Sequence, residues 1–300
     1  MKMEGIITAI VTPFDAKGEV DYDAFGRLIE HQIAHGVHGF VPCGSTGEYY
    51  AMTAEERAAV LKFVKDTVDG RATLIAGTNG GSTREVIGHT QTARDLGYEA
   101  VLLAPPYYSL PSQEELVAHF RAVIDAVDVK LVLYNYPTRV GVEVGFPVLD
   151  AFRDDERVIA IKESSGELLR AIQINERYGK DYQFSCGSDD QAFDFFIWGA
   201  TSWICGPANC FVDQCVAFYN AFAAGDLARA QNETRRLFPA MASLETGSFV
   251  QKVKYGCELL GLPTGSTRQP LLPLSDAEKR DFKAAFDAAY ATPAGSVEAA

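Results

Sequence analysis

Short apolar segments recur along this chain at intervals of about 20 to 35 residues, which is the spacing of strands joined by helical crossovers. Each segment is rich in β-branched or aromatic residues and is bounded by Gly, Pro or Ser, as β-strands are. Eight such strands are predicted. They cover residues 5–11, 39–41, 72–77, 100–104, 130–135, 158–162, 183–187 and 201–206.

The stretches between these strands have the apolar spacing of amphipathic helices. Thr53 with Glu56, and Ser112 with Glu115, form the S/T-x-x-E pattern of a capping box, which marks where two of the helices begin. Strands that alternate with helices lie parallel in one sheet. Four of the predicted helices cover residues 24–36, 53–68, 82–97 and 112–127.

Two architectures have eight parallel strands, a doubly wound sheet and a closed barrel. No glycine-rich dinucleotide fingerprint follows the first strand, so we predict the (β/α)8 barrel, also called the TIM barrel. The strand signal stops after residue 211, and residues 225–292 have helical patterns only. We therefore predict a barrel domain over 1–224, a small all-helical C-terminal subdomain over 225–292 and a disordered tail over 293–300.

The charge balance excludes several classes of function. The net charge of −13 disfavours binding to nucleic acid or to anionic membranes. No apolar stretch is long enough to span a bilayer, and the N-terminus lacks a signal-peptide layout, so we expect a cytoplasmic protein. The six cysteines form no CxxC pair and are expected to be reduced and mostly buried, and we expect neither a metal nor a cofactor.

Lys162 ends the sixth predicted strand, VIAIK. Val158, Ala160 and Lys162 should share one face by the period of two, which directs the amine into the barrel mouth, where barrel active sites lie. Burial would lower the pKa of the amine and leave a nucleophile able to form a Schiff base with a ketone or aldehyde. The alternative is a structural salt bridge to Glu163 or Asp189.

Other strand ends add polar groups to the same mouth. Tyr134 ends the fifth strand and is either a proton shuttle or a rim aromatic. Ser45 and Thr46 lie in the sequence GSTG, where Gly44 and Gly47 would allow a sharp turn whose N–H groups suit a carboxylate. Such a loop can also be a simple turn.

Arg139 follows the sequence YNYPT, and its guanidinium has the fork geometry that holds a carboxylate through two bonds. A surface arginine without a ligand is the alternative. In contrast, Lys62, Lys65, Lys252 and Lys254 lie in helical stretches and are expected to be solvated.

Together these stretches resemble the dihydrodipicolinate synthase / N-acetylneuraminate lyase family of class I, Schiff-base aldolases. The resemblance covers about residues 4–290 and keeps the order and spacing of the motifs of the family. The matching motifs are TAIVTPF (8–14), GSTGE (44–48), APPYYSLPSQEELVAHF (104–120), YNYPTRVG (134–141), IKESSG (161–166), CGSDD (186–190) and KYGCELLG (254–261).

The resemblance implies a role for each matching residue. Lys162 corresponds to the lysine that forms an imine with a 2-keto acid, usually pyruvate. Tyr134 corresponds to the tyrosine that moves protons, and Tyr108 to one that reaches in from a neighbouring subunit. Ser45 and Thr46 correspond to the hydroxyl pair that holds the keto-acid carboxylate, and Thr46 is also implied to link to the tyrosine relay.

The resemblance further implies that Arg139 binds the carboxylate of a second substrate, an aldehyde, and that the backbones of Gly187 and Ile204 line the pocket. The usual assembly is a homotetramer, a dimer of tight dimers. Arg139 and Pro137 favour the synthase branch, which joins pyruvate to aspartate semialdehyde.

Some positions depart from that branch. Ser45 replaces a more usual threonine, and Tyr49 and Tyr50 are bulky. They leave open a 2-keto-3-deoxy sugar acid aldolase or dehydratase, or a deaminase of a hydroxylated pyrroline carboxylate. A non-catalytic keto-acid-binding protein is a more remote alternative. Ala54 and Gly81 replace polar residues of the lysine-feedback site, so we predict no strong inhibition by lysine.

Overall fold

The computed structural model describes residues 1–291, so the predicted tail over 293–300 and residue 292 lie outside the described residues. The strands form one parallel sheet, and each predicted strand is found. Ile75 divides the predicted strand over 72–77 into two short strands, so the sheet has nine strands where eight were predicted. The strands are β1 Gly5–Thr8, β2 Gly39–Phe40, β3 Thr73–Leu74, β4 Ala76–Gly77, β5 Ala100–Leu103, β6 Lys130–Asn135, β7 Val158–Glu163, β8 Gln183–Cys186 and β9 Ser202–Cys205.

The sheet closes on itself at Ile75. Strand β3 pairs with β2, and β4 pairs with β5, so the stretch that contains both halves bridges the two edges of the sheet. The Ile75 amide donates to the Phe40 carbonyl at 3.1 Å, and the Thr78 amide donates to the Leu102 carbonyl at 3.3 Å. The predicted closed barrel is therefore confirmed over a doubly wound sheet.

The predicted helices and both predicted capping boxes are present. A third capping box, Ser275 with Glu278, begins the last helix. Three short 3-10 turns follow strands, at Tyr49–Ala51, Asp189–Gln191 and Pro207–Asn209. The helices are α1 Tyr22–Ala34, α2 Ala54–Val68, α3 Thr83–Asp95, α4 Gln113–Ala126, α5 Pro137–Val140, α6 Phe146–Phe152, α7 Leu168–Tyr178, α8 Ala192–Ile197, α9 Val212–Ala223, α10 Leu227–Glu245, α11 Phe249–Leu259 and α12 Asp276–Tyr290.

The apolar side chains form two layers, because successive residues of a strand point to opposite faces. The larger layer lies between the strands and the surrounding helices. The smaller layer fills the barrel interior and includes Ile7, Val132, Tyr134, Ala160 and Ile204. The barrel is therefore a packed core below its mouth, which leaves the strand ends as the place for a site.

Strand β7 does not keep the simple alternation that the sequence predicts. Leu131 of β6 pairs with Val158, but the next residue, Val132, pairs with Ala160, so a bulge separates Val158 from the rest of the strand. Val158 lies in the outer layer and Ala160 in the inner one. The prediction that Val158 shares a face with Lys162 is wrong, although Ala160 and Lys162 do share one.

Helices α10, α11 and α12 follow the barrel, and α10 packs against both α9 and α12. A domain boundary at residues 224 and 225 stays a prediction. All six cysteines are buried. Among residues 1–291, no helix combines the length and the apolar character that crossing a membrane requires.

A buried ion pair ties this helical region to the barrel. The Lys254 amine lies 2.7 Å from the Glu48 carboxylate, and the side chains are 3% and 0% exposed. Lys252 is also buried and donates to the Ser243 carbonyl at 2.5 Å. The prediction that Lys252 and Lys254 are solvated is wrong, because their partners come from parts of the chain that a helical pattern does not show.

We predict that Lys254→Met lowers the free energy of unfolding by about 3 to 5 kcal/mol, because the Glu48 charge would stay buried without its ion-pair partner. The measurement is chemical denaturation followed by circular dichroism. Lys62→Met is the matched control, since Lys62 pairs with Asp66 at the surface and its loss should cost less than about 1 kcal/mol. Equal effects of the two variants would contradict the assignment, and adding Glu48→Gln to Lys254→Met should restore part of the loss.

Candidate active site

The carboxyl ends of the strands surround a cleft of about 340 Å³. A larger groove, of about 1230 Å³, lies at the opposite end of the barrel beside Val158, Tyr182 and Thr201. That groove adjoins the amino ends of the strands, where barrels do not place their chemistry. The smaller cleft is lined by Ser45, Thr46, Tyr134, Tyr136, Arg139, Lys162, Gly187, Asp189, Ile204, Gly206, Glu245 and Phe249.

Lys162 is 6% exposed, and its amine lies 4.4 Å from the centroid of the Tyr134 ring. Burial lowers the pKa of this amine, and the negative charge of Asp189 opposes that shift. A larger share of the amine is thus unprotonated, which is the form that attacks a carbonyl carbon.

The alternative of a structural salt bridge at Lys162 finds no support. Glu163 faces the outside of the barrel and pairs with Arg170 at 2.9 Å. Asp189 accepts a hydrogen bond from the Trp203 indole at 2.8 Å. Among residues 1–291, neither carboxylate lies within 4.0 Å of the Lys162 amine. Asp189 is thus not in contact with the Lys162 amine, and burial raises the pKa of the Asp189 carboxyl well above its usual range.

Tyr134 lies directly beside Lys162, because the two residues are partners in the register of β6 and β7. Its side chain is 5% exposed, and burial raises the pKa of its phenol to about 12. The hydroxyls of Ser45 and Ser164 approach this phenol. The phenol is therefore protonated at neutral pH and is placed to exchange a proton with a group bound at Lys162.

The sharp turn that the sequence predicts at Gly44 and Gly47 is made by other residues of the loop region. The residues with positive φ are Cys43 at 55° and Glu48 at 60°, which flank the loop, and not Gly44 or Gly47. Gly47 serves close approach instead, because a Cβ there would lie 3.0 Å from the Ile10 carbonyl. The loop does bring Ser45 and Thr46 to the cleft.

The Glu48 carboxylate holds the end of this loop. It pairs with Lys254 and accepts from the Arg268 amide at 2.9 Å. The side chains of Ser45 and Thr46 both line the cleft together with Tyr134. A link from Thr46 to the tyrosine, which the resemblance implies, is not among the contacts of the described residues.

Gly187 and Ile204 line the cleft as expected. A Cβ at position 187 would lie 2.7 Å from Cε of Lys162 and 2.0 Å from the Ser164 hydroxyl. Only glycine leaves room for Lys162 to lie across this position without a shift of the backbone. Gly187 is thus a condition for the observed placement of the lysine.

Arg139 lies in α5 at the entrance of the cleft, with its guanidinium carbon 5.3 Å from the centroid of the Tyr136 ring. Among residues 1–291, no carboxylate lies within 4.0 Å of it. Its charge is therefore available to a ligand that carries a carboxylate.

Tyr108 is the one predicted residue that the chain does not bring to its own cleft. Its side chain is 97% exposed, and its backbone has φ of 73°. The expectation that it reaches into the site of a neighbouring subunit stays a prediction.

Sequence reasoning missed several residues of the cleft. Glu245 and Phe249 come from α10 and α11, and Phe249 packs on Gly206, where a Cβ would lie 2.6 Å from its ring. Tyr136 lies in the motif YNYPTRVG, in which only Tyr134 and Arg139 were predicted to have a role in the site. Gly247, with φ of 108°, lies in the short turn between the two helices that carry Glu245 and Phe249. Among the described residues, no group of His, Cys, Asp or Glu is arranged to hold a metal ion.

A buried amine at the mouth of a (β/α)8 barrel, next to a protonated phenol, defines a class I aldolase-type enzyme, one that works through a lysine Schiff base. The sequence comparison assigns the chain more narrowly. A sequence model of the dihydrodipicolinate synthetase family matches residues 2–289, and the chain belongs to this family.

Relatives and solved structures agree with this assignment. The 4-hydroxy-tetrahydrodipicolinate synthase of Phenylobacterium zucineum is 37% identical over 282 residues, which cover 94% of this chain and 96% of the relative. The synthase structure from Methylacidiphilum fumariolicum has a TM-score of 0.93 at 31% identity, with 96% of each chain covered. The synthase of Acinetobacter baumannii, solved in complex with pyruvate, has a TM-score of 0.93 at 30% identity, with 96% of this chain and 99% of that one covered.

We predict that Lys162 is labelled by a small amine reagent with a pH midpoint lower in the folded protein than in the denatured chain. The reason is that burial disfavours the ammonium form, so the reactive amine appears at a lower pH. Trace labelling across a pH series, followed by peptide mass spectrometry, gives the two midpoints. A folded-state midpoint at or above that of the denatured chain would refute the lowered pKa.

Proposed function

We propose that this enzyme is a Schiff-base-forming synthase of 2-keto acids, most like 4-hydroxy-tetrahydrodipicolinate synthase, which joins pyruvate to aspartate semialdehyde. The observation that carries the proposal is the buried Lys162 amine beside the Tyr134 phenol, in a cleft that also has a hydroxyl pair and a free arginine. The names of the relatives and the pyruvate complex of one structural neighbour support the same substrates.

In the proposed reaction, the Lys162 amine attacks the C2 carbonyl of pyruvate. Tyr134 donates a proton as the carbinolamine loses water, which leaves an iminium ion. The Tyr134 phenolate left by this step takes a proton from C3, which gives the enamine. The enamine carbon then forms the new bond to the aldehyde carbon, and the aldehyde oxygen takes up a proton. Hydrolysis, or attack by an amine of the product, releases Lys162.

The polar groups of the cleft divide between the two substrates in this proposal. Ser45 and Thr46, at the base of the cleft, receive the carboxylate of the keto acid. Arg139, at the entrance, receives the carboxylate of the aldehyde substrate through a bidentate contact. The backbones of Gly187 and Ile204 form the wall beside the imine.

The second candidate is a 2-keto-3-deoxy sugar acid aldolase or dehydratase, or a deaminase of a hydroxylated pyrroline carboxylate. Two tyrosines near Arg139 favour it. The guanidinium of Arg139 lies over the Tyr136 ring. Burial raises the pKa of the Tyr50 phenol to about 12, and the charge of Arg139 opposes that rise. Their phenols can hydrogen-bond to substrate hydroxyls. A substrate panel separates the candidates, since this one requires turnover without aspartate semialdehyde.

The proposal extends to the assembly and to regulation. We propose a homotetramer in which Tyr108 of one subunit reaches the relay of another, and the full exposure of this side chain supports that role. We also propose that lysine does not inhibit strongly, because Ala54 and Gly81 have no side-chain donors.

We predict that borohydride treatment in the presence of pyruvate adds a reduced pyruvate adduct to Lys162 and inactivates the enzyme. Peptide mass spectrometry locates the adduct. The variant Lys162→Ala should keep the fold, show no adduct and lose turnover, while Lys62→Ala, at an exposed helical position, should behave as the parent does. An adduct at any other lysine, or full turnover by Lys162→Ala, would remove Lys162 from the mechanism.

We predict that Tyr134→Phe slows turnover by about 10² to 10⁴-fold, since proton transfer by a positioned side chain contributes on that order. Tyr22→Phe is the matched control, because Tyr22 lies on α1 and does not line the cleft. Single-turnover formation of the pyruvate adduct measures the step directly. Equal rates for the parent and Tyr134→Phe would exclude the phenol as the proton donor.

A further inference from the structure

The cleft contains one carboxylate with no assigned role, that of Glu245. Glu245 is the last residue of α10, and it lines the same cleft as Arg139 and Lys162. It reaches the barrel from the helical region, about 80 residues after Lys162 in the chain. Neither the proposed imine chemistry nor the keto-acid carboxylate requires a negative charge here.

Glu245 has no partner inside the protein. Among residues 1–291, no Lys, Arg or His lies within 4.0 Å of its carboxylate, and no hydrogen bond from its side chain is found. Burial and the charge of Asp190 raise the pKa of Glu245, and the charges of Arg139 and Lys162 across the cleft oppose that rise. A structural ion pair therefore does not explain this residue.

The backbone around Glu245 is held firmly. The Lys252 amine donates to the Ser243 carbonyl at 2.5 Å and to the Thr246 hydroxyl at 3.1 Å. The Ser248 hydroxyl donates to the Glu278 carboxylate at 2.8 Å. These bonds fix both sides of the segment from Glu245 to Phe249, so its carboxylate is presented to the cleft by an ordered support.

The charges that face the cleft fit an α-amino acid. Arg139 offers a cation to a carboxylate, and Glu245 offers an anion to an ammonium group. In an α-amino acid, both groups are attached to one carbon, so both partners must line one cleft, as Arg139 and Glu245 do. Glu245 is exposed at the mouth of the cleft, where an ammonium group could reach it. A sugar acid brings a carboxylate and hydroxyls but no positive charge to pair with it.

We propose that Glu245 determines specificity by binding the ammonium group of the second substrate, so that the enzyme selects the aldehyde of an α-amino acid over the same aldehyde without the amine. This assignment rests on the proposed function for the identity of the reaction. It concerns recognition of the second substrate and not the formation of the pyruvate adduct on Lys162.

The test compares L-aspartate β-semialdehyde with succinate semialdehyde, which differs by the missing amine. The ratio of the two kcat/KM values should fall about tenfold in Glu245→Gln, because one charge-assisted hydrogen bond contributes on that order. The KM for pyruvate and the borohydride adduct on Lys162 should not change. Glu258→Gln is the matched control, because Glu258 lies on α11 outside the cleft, and its ratio should equal that of the parent.

A second measurement does not depend on turnover. L-homoserine and 4-hydroxybutanoate replace the aldehyde by an alcohol, and calorimetry gives their binding to the parent and to Glu245→Gln. The assignment is supported if the parent prefers L-homoserine and Glu245→Gln loses that preference. This result would stand even if no pyruvate adduct forms and the proposed function fails. Equal preference in the two proteins overturns the assignment, even if the adduct forms and the proposed function holds.

Discussion

Closure of the sheet at Ile75 is the constraint on which the site depends. The stretch from Thr73 to Gly77 pairs with β2 through one half and with β5 through the other, so that every strand has two neighbours. In an open sheet, the ends of β2 and β6 would lie apart. In the closed one, the GSTG loop after β2 and Tyr134 at the end of β6 meet at one mouth.

An amine in this mouth requires space for its side chain and contacts that offset the cost of burying it. Gly187 leaves the space, since any side chain there would collide with Lys162 or Ser164. The Tyr134 ring contacts the amine on one side, and the charge of Asp189 limits the pKa shift that burial causes. The lysine is consequently reactive without being held in an ion pair, which a nucleophile requires.

The C-terminal helices complete the mouth and are not an appendage. Lys254 anchors the loop that carries Ser45 and Thr46, through Glu48, and Lys252 anchors the segment that carries Glu245. Both lysines have the sequence context of solvated helix residues. A helical pattern records only spacing along one element. It therefore gives no sign of Glu48, some 200 residues from Lys254, or of the end of the preceding helix, where Lys252 finds Ser243 and Thr246.

The sequence by itself determined the order of strands and helices, two of the helix starts, the barrel class and the group of Lys162, Tyr134, Ser45, Thr46 and Arg139. Those features follow from local periodicity, local capping and the rule that strand ends converge, and the family motifs agree with them. The tertiary structure decided the bulge that turns Val158 outward, the left-handed backbone of Cys43 and Glu48, and the entry of Glu245 and Phe249 into the cleft. Each of these depends on a contact between distant segments, whose geometry exists only after the chain has folded.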